Sequence, residues 1–149
     1  MKLSTKGRYG VKAMLDIAIH SSEGQVSLKS IAERQEISEN YLEQLFATLK
    51  KSGLVKSVRG AQGGYYLAGK PEEISIGSIL RALEGSLAPV DCVLEENAQS
   101  CTRADNCVTK LIWEKMRDKI NEAVDSISLK DLVQEYNKLN NKDNYMYYI

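Results

Sequence analysis

The chain has 149 residues, 43% of them apolar, with 20 Lys and Arg against 20 Asp and Glu. That length supports one well-buried core and an appendage. No apolar run approaches the ~18 residues of a membrane span, and the start lacks the apolar stretch of a signal peptide, so no membrane is expected and the expected location is cytoplasmic.

The zero net charge hides an asymmetry. Residues 1–70 carry 11 Lys and Arg against 6 Asp and Glu, whereas residues 71–149 carry 9 against 14. A basic half beside an acidic half suggests a surface for a polyanion on one side and a separate task on the other.

In chain order, Ser4 is expected to cap a first helix running to about Ser21, with Val11, Met14, Leu15 and Ala18 on its apolar face. Gly24 ends it, and Ser27 caps a short helix over Leu28–Gln35. A tight turn at Glu36-Ile37 leads to Ser38, which caps a third helix from Glu39 to about Ser52. There Leu42, Leu45, Phe46 and Leu49 fall at i, i+3, i+4, i+7, and Gly53 takes the position favoured after a helix C-terminus.

Two helices joined by so short a turn predict a helix-turn-helix. The β-rich run Leu54–Val58, the turn Arg59-Gly60-Ala61-Gln62-Gly63-Gly64 and the run Tyr65–Leu67 predict a hairpin. Three helices and a hairpin is the winged-helix order. Ser75 caps a fourth helix through Leu83, ended by Gly85.

Periodicity then vanishes until about Ala104. A long helix is expected from Asp105 to about Ser126, with Ile112, Trp113, Met116, Ile120, Val124 and Ile127 as an apolar stripe. It is longer than so small a domain needs, which favours a homodimer. Ser128 caps a last helix to about Leu139, and the polar run Asn140–Asn144 reads as a disordered spacer. The fold class is therefore mostly α (α+β), a winged helix-turn-helix with a long C-terminal dimerisation helix. It divides into residues 1–85, a cysteine-bearing loop at 86–104, helices at 105–139 and a tail at 140–149.

On the third helix, Asn40, Glu43, Gln44, Thr48 and Lys51 lie off the core face. Asn and Gln each carry a donor and an acceptor, which matches the adenine edge in the major groove. Ser38 and Tyr41 near the helix start suit phosphate. Arg59, beside small residues in the hairpin, suits a narrow minor groove. A nucleotide cradle is the poorer reading of this glycine-rich turn, because no Lys-Ser/Thr follows it and it does not open a helix.

Cys92, Cys101 and Cys107 are spaced C-x8-C-x5-C. Thiolates are the usual ligands of iron–sulfur iron, yet this is not a standard ferredoxin or zinc spacing. Zinc, a redox pair and incidental thiols stay open beside a cluster. A thiol enzyme is disfavoured, since no histidine is near in sequence and no nucleophile motif appears.

Leu3-Ser4-Thr5-Lys6-Gly7-Arg8-Tyr9, Tyr41-Leu42-Glu43-Gln44-Leu45-Phe46, Gly53-Leu54-Val55 and Arg59-Gly60-Ala61-Gln62-Gly63-Gly64-Tyr65 resemble the iron–sulfur cluster regulator family of winged-helix transcription factors, over nearly the whole chain. The resemblance implies a homodimer on double-stranded DNA, with Ser38, Asn40, Tyr41, Glu43 and Gln44 contacting the major groove and Arg59 and Gly60 the minor groove. It also implies an iron–sulfur cluster on Cys92, Cys101 and Cys107, 2Fe–2S ahead of 4Fe–4S. Two departures stand out. The first cysteine gap exceeds the five residues of the cluster-assembly regulators, and Lys110 stands where they have a histidine ligand. Asp91, Asp105, an exogenous thiol or water are the alternatives for a fourth donor.

Tyr145-Met146-Tyr147-Tyr148-Ile149 is similar to the end of the family's cysteine-metabolism regulators. That likeness implies cysteine synthase as a partner, captured through Tyr147, Tyr148 and the Ile149 carboxylate.

Overall fold

A computed structural model describes residues 2–94 and 101–146. Among them the order is α1 (Thr5–Ile19), α2 (Leu28–Gln35), α3 (Glu39–Lys51), β1 (Val55–Val58), β2 (Gly64–Leu67), α4 (Ile76–Glu84), α5 (Lys110–Asp125) and α6 (Leu129–Met146). Short 3-10 turns lie at Ser21–Glu23, Pro71–Glu73, Asp91–Val93 and Ala104–Asn106. The expected winged helix-turn-helix is present.

The serines set the helix starts. The hydroxyls of Ser27, Ser38 and Ser75 accept from the amides of Ser30, Tyr41 and Ser78 at 3.2, 3.1 and 3.0 Å, each satisfying one orphan donor of a first turn. Ser128 and Asp131 cap α6 reciprocally, at 3.1 and 2.9 Å, as in a capping box. Ser4 differs: its side chain makes no bond to its own helix. Its hydroxyl donates instead to Glu84, at the end of α4.

The core gathers Met14 and Ile17 of α1, Ile31 of α2, Leu42, Phe46 and Leu49 of α3, Val55 of β1, Ile79 of α4 and Leu129 of α6, all buried. The Phe46 and Tyr65 rings lie 4.7 Å apart, so the hairpin packs directly on α3. β1 and β2 pair antiparallel with Val55 opposite Leu67 and Val58 opposite Gly64. Val26, ahead of α2, exchanges two 2.8 Å backbone bonds with Tyr65, which staples the hairpin to the helix-turn-helix.

The elbow between α5 and α6 is tied to the root of α4 by Ile76 N–H to Ile127 O, 2.8 Å, and Leu129 N–H to Ile74 O, 2.9 Å. Arg81 of α4 grips Asp125 of α5 with two bonds of 2.7 and 2.8 Å, a planar fork on a carboxylate.

Three further details depart from expectation. The buried face of α1 is Ala13, Met14, Ile17 and Ala18, with Val11 and Leu15 at its half-buried margins. Helix α5 starts at Lys110 rather than Asp105. Asp105 and Asn106, which suit a cap or turn as well as a first helical turn, occupy a 3-10 turn, and the β-branched Val108 and Thr109 that follow have low helix propensity. Helix α6 continues to Met146, so the polar run Asn140–Asn144 is helical rather than an unstructured spacer. No Gly or Pro interrupts 129–146, and adding residues to an established helix costs far less than nucleating one.

Candidate nucleic-acid interface

The turn from α2 to α3 is short because Glu36 adopts a left-handed conformation, φ 55°, turning the chain while Ile37 sinks into the core. This aims α3 with Leu42, Leu45, Phe46 and Leu49 inward and Ser38, Asn40, Glu43 and Gln44 exposed. A row of amide, carboxylate and hydroxyl groups on one outward face has the donors and acceptors that base edges require.

Tyr41 is half-buried and fixed. Its ring meets Tyr9 of α1 edge-on at 6.0 Å, and its hydroxyl lies 3.3 Å from that of Thr5. Arg8 and Lys12 sit 5.9 and 5.8 Å from the centre of the Tyr9 ring, within cation–π range. Cations on α1 thus flank the start of α3, where the helix dipole is positive.

Arg59 and Gly60 lie exposed at the hairpin tip, and Gly60 has φ 120°, a conformation strained for side-chain-bearing residues. Lys50 Nζ donates to Ser57 Oγ at 2.7 Å, joining the end of α3 to β1. The seven DNA-site residues expected from the sequence therefore occupy two neighbouring elements on one core.

A buried carboxylate, absent from the sequence reading, ties α1 to α2, the first helix of the helix-turn-helix. Asp16 of α1 is 1% exposed and accepts from Arg34 Nε and Nη2 at 3.0 and 2.6 Å and from Gln35 Nε2 at 3.0 Å. Burial pushes its carboxyl up, but the bonds from Arg34 and Gln35 and the charges of Arg34 and His20 outweigh it, leaving the pKa below the ordinary value. The available signal was one acidic residue beside apolar Leu15 and Ile17, with Arg34 on the facing helix.

Cys92 lies in the 3-10 turn Asp91–Val93, and Arg117 of α5 holds that turn by donating to Val93 O at 3.0 Å. Cys92 and Cys107 are half-buried, Cys101 is exposed, and all three thiols are free. The Thr109 hydroxyl, 3.2 Å from Cys107 Sγ, and the Lys110 amide hold the Cys107 thiol below its ordinary range. Three free thiols, one biased toward thiolate, suit iron–sulfur ligation by chemistry. Their placement does not gather them: among the described residues no three His, Cys, Asp or Glu side chains are positioned to hold a metal ion. Lys110 pairs with Glu114 at 3.7 Å, and a protonated amine offers no lone pair. Tyr147, Tyr148 and Ile149 lie outside the described residues.

Against known families, residues 3–135 match the model described as Rrf2, iron-dependent transcriptional regulator. The chain belongs to the Rrf2 family. Among its relatives, the transcriptional regulator IscR of Pectobacterium atrosepticum is 45% identical, over 96% of this chain and 85% of that one. The regulator CymR of Bacillus subtilis is 42% identical over the full length of both. The solved structure of T. potens IscR superposes with a TM-score of 0.74 at 54% identity, over 91% of this chain and 88% of that one. As an Rrf2 protein the chain is a winged-helix transcription regulator. No helix among the described residues is long and apolar enough to cross a membrane.

Proposed function

We propose that the chain is a cytoplasmic, sequence-specific DNA-binding regulator of iron–sulfur cluster or sulfur-metabolism genes, without enzymatic activity, working as a homodimer. One observation carries the DNA reading: the polar face of α3 and the exposed Arg59 are held by a single core, stapled through Val26 and Tyr65. In this reading Asn40, Glu43 and Gln44 read base edges, Ser38 and Tyr41 take phosphates, and Arg59 with the Gly60 backbone enters the minor groove. The half-exposed apolar side of α5 is the dimer contact.

Cys92, Cys101 and Cys107 would hold an iron–sulfur cluster, 2Fe–2S ahead of 4Fe–4S. When bound, it would supply a redox- and iron-sensitive group beside α5. The fourth donor comes from Asp91, Asp105, a small thiol or water. Support comes from the three free thiols within one short segment and from the likeness to IscR regulators.

The deciding experiment is a gel shift on the promoter fragment upstream of the chain's own gene, at stated salt because phosphate contacts make affinity salt-dependent. Combining Arg59→Glu with Gln44→Ala should weaken binding by at least about tenfold. Unchanged affinity and selectivity would sink the regulator reading at this surface.

A second reading is favoured by full-length similarity to CymR. In it, cysteine synthase controls the regulator by capturing Tyr147, Tyr148 and Ile149. Deleting those three residues should abolish binding to purified cysteine synthase; unaltered binding removes the tail from that role.

A further inference from the structure

The wing tip is weakly self-supporting. The β1–β2 pairing stops at Val58 and Gly64, and the intervening turn is rich in residues with little or no side chain to pack. Within it, one backbone bond runs from Gly63 N–H to Gly60 O, 3.0 Å. Such a segment has high conformational entropy unless something outside holds it. Beneath it opens a polar cleft of about 390 Å³, walled on the far side by His20, Glu23, Ser30 and Arg34. Across this cleft reaches one side chain: Gln25 Nε2 donates to Gln62 O at 2.7 Å. Among the described residues, no other side chain bonds the backbone of this turn.

We propose that Gln25 is a positioning residue for DNA binding, its side-chain amide being the strut that holds the wing tip, and with it Arg59, at a set distance from α3. The inference rests on the DNA role given above to Arg59. The chemistry specifies the residue type. The group must donate, because its partner is a carbonyl, and it must sit at the end of a stem long enough to cross the cleft. A carboxylate at position 25 accepts only, and asparagine is one methylene short. The neighbouring pair, Val26 with Tyr65, fixes the base of the wing but not its tip.

The test uses Gln25→Ala, the near-isosteric Gln25→Glu, Arg59→Ala and the double variant Gln25→Ala/Arg59→Ala in the full chain. Because Gln25 is exposed, the melting temperature should stay at the wild-type value. Exchange of the Gly63 amide, which is bonded to Gly60 O, should rise at least about fivefold in the free protein in both Gln25 variants. On the promoter fragment, Gln25→Ala should bind about threefold to tenfold more weakly. Arg59→Ala should cost about tenfold in the wild type but less than about threefold in the Gln25→Ala background. Unchanged exchange, or losses that simply multiply in the double variant, overturns the strut. An Arg59→Ala protein that binds as wild type refutes the role of Arg59 instead, and amide exchange then still decides whether Gln25 holds the tip.

Discussion

The carboxylate of Glu84, the last residue of α4, accepts a 3.2 Å bond from the amide of Gly7 in the first turn of α1. It also accepts from the Ser4 amide at 2.9 Å and from the Ser4 hydroxyl. The start of α1 is thus capped by a residue some eighty positions away, and an anion sits at the positive end of the helix. A Cβ at position 7 would come within 2.8 Å of the Glu84 oxygen and 3.1 Å of Leu80, so a larger residue there would have to move the Glu84 side chain. Replacing Glu84 with alanine should lower stability by about 1 kcal/mol and the melting temperature by about 2–4 °C. Glu84→Gln, which keeps an acceptor but loses the charge, should fall between. A Glu84→Ala protein that melts with the wild type would show that the cap contributes nothing.

Acid should test Asp16. Its folded pKa is depressed, so its contribution is complete above the unfolded carboxylate value of about 4 and is lost as pH falls through the folded one. Asp16→Asn should flatten the decline in stability below about pH 4. At neutral pH it should cost about 1–3 kcal/mol, discounted from a fully buried pair because Arg34 is partly exposed. Chemical denaturation at several pH values reads both effects. An acid limb identical to wild type would assign the acid sensitivity to other groups.

The stripe on α5 makes a third case. No residue of this helix is buried, with Leu111 66% and Ile112 53% exposed, a run of apolar surface that a lone subunit leaves wet. Ile112→Asp should give a monomer in sedimentation, with weaker promoter binding through loss of the paired half-site. A variant that still sediments as a dimer places the interface elsewhere.

For the cysteines, anaerobic reconstitution should yield coloured protein with bound iron and sulfide, and Ala at Cys92, Cys101 or Cys107 should each remove most of the iron. Colourless, iron-free wild-type protein after reconstitution would remove the cluster from the proposal. Retained iron in one variant would strike that cysteine from the ligand set.

Elements that announce themselves locally are legible in the sequence. The period-3.6 face of α3, the serine caps at positions 27, 38, 75 and 128, and the glycine hairpin all depend on neighbours within a few residues, and all formed where the pattern placed them. What escaped was long-range or cumulative. Ser4 looks like a local cap but serves Glu84, and no spacing rule links positions 4 and 84. Asp16 reads as one polar interruption until Arg34 and Gln35 arrive from the next helix. The boundaries of α5 and α6 slipped because propensity is a weak prior at helix ends. Asp105 and Asn106 were equally compatible with a first turn or a cap, and the Asn-rich run of α6 extends a helix it would not start.

The clasp between residues 74–76 and 127–129 makes the α5–α6 elbow part of the reading head rather than an appendage to it. Two heads joined through α5 would therefore behave as a caliper with a built-in span. Moving their targets by a single base pair shifts one by about a tenth of a helical turn, and the clasp leaves little backbone slack to follow it. Spacing between half-sites would then be selected as stringently as their bases.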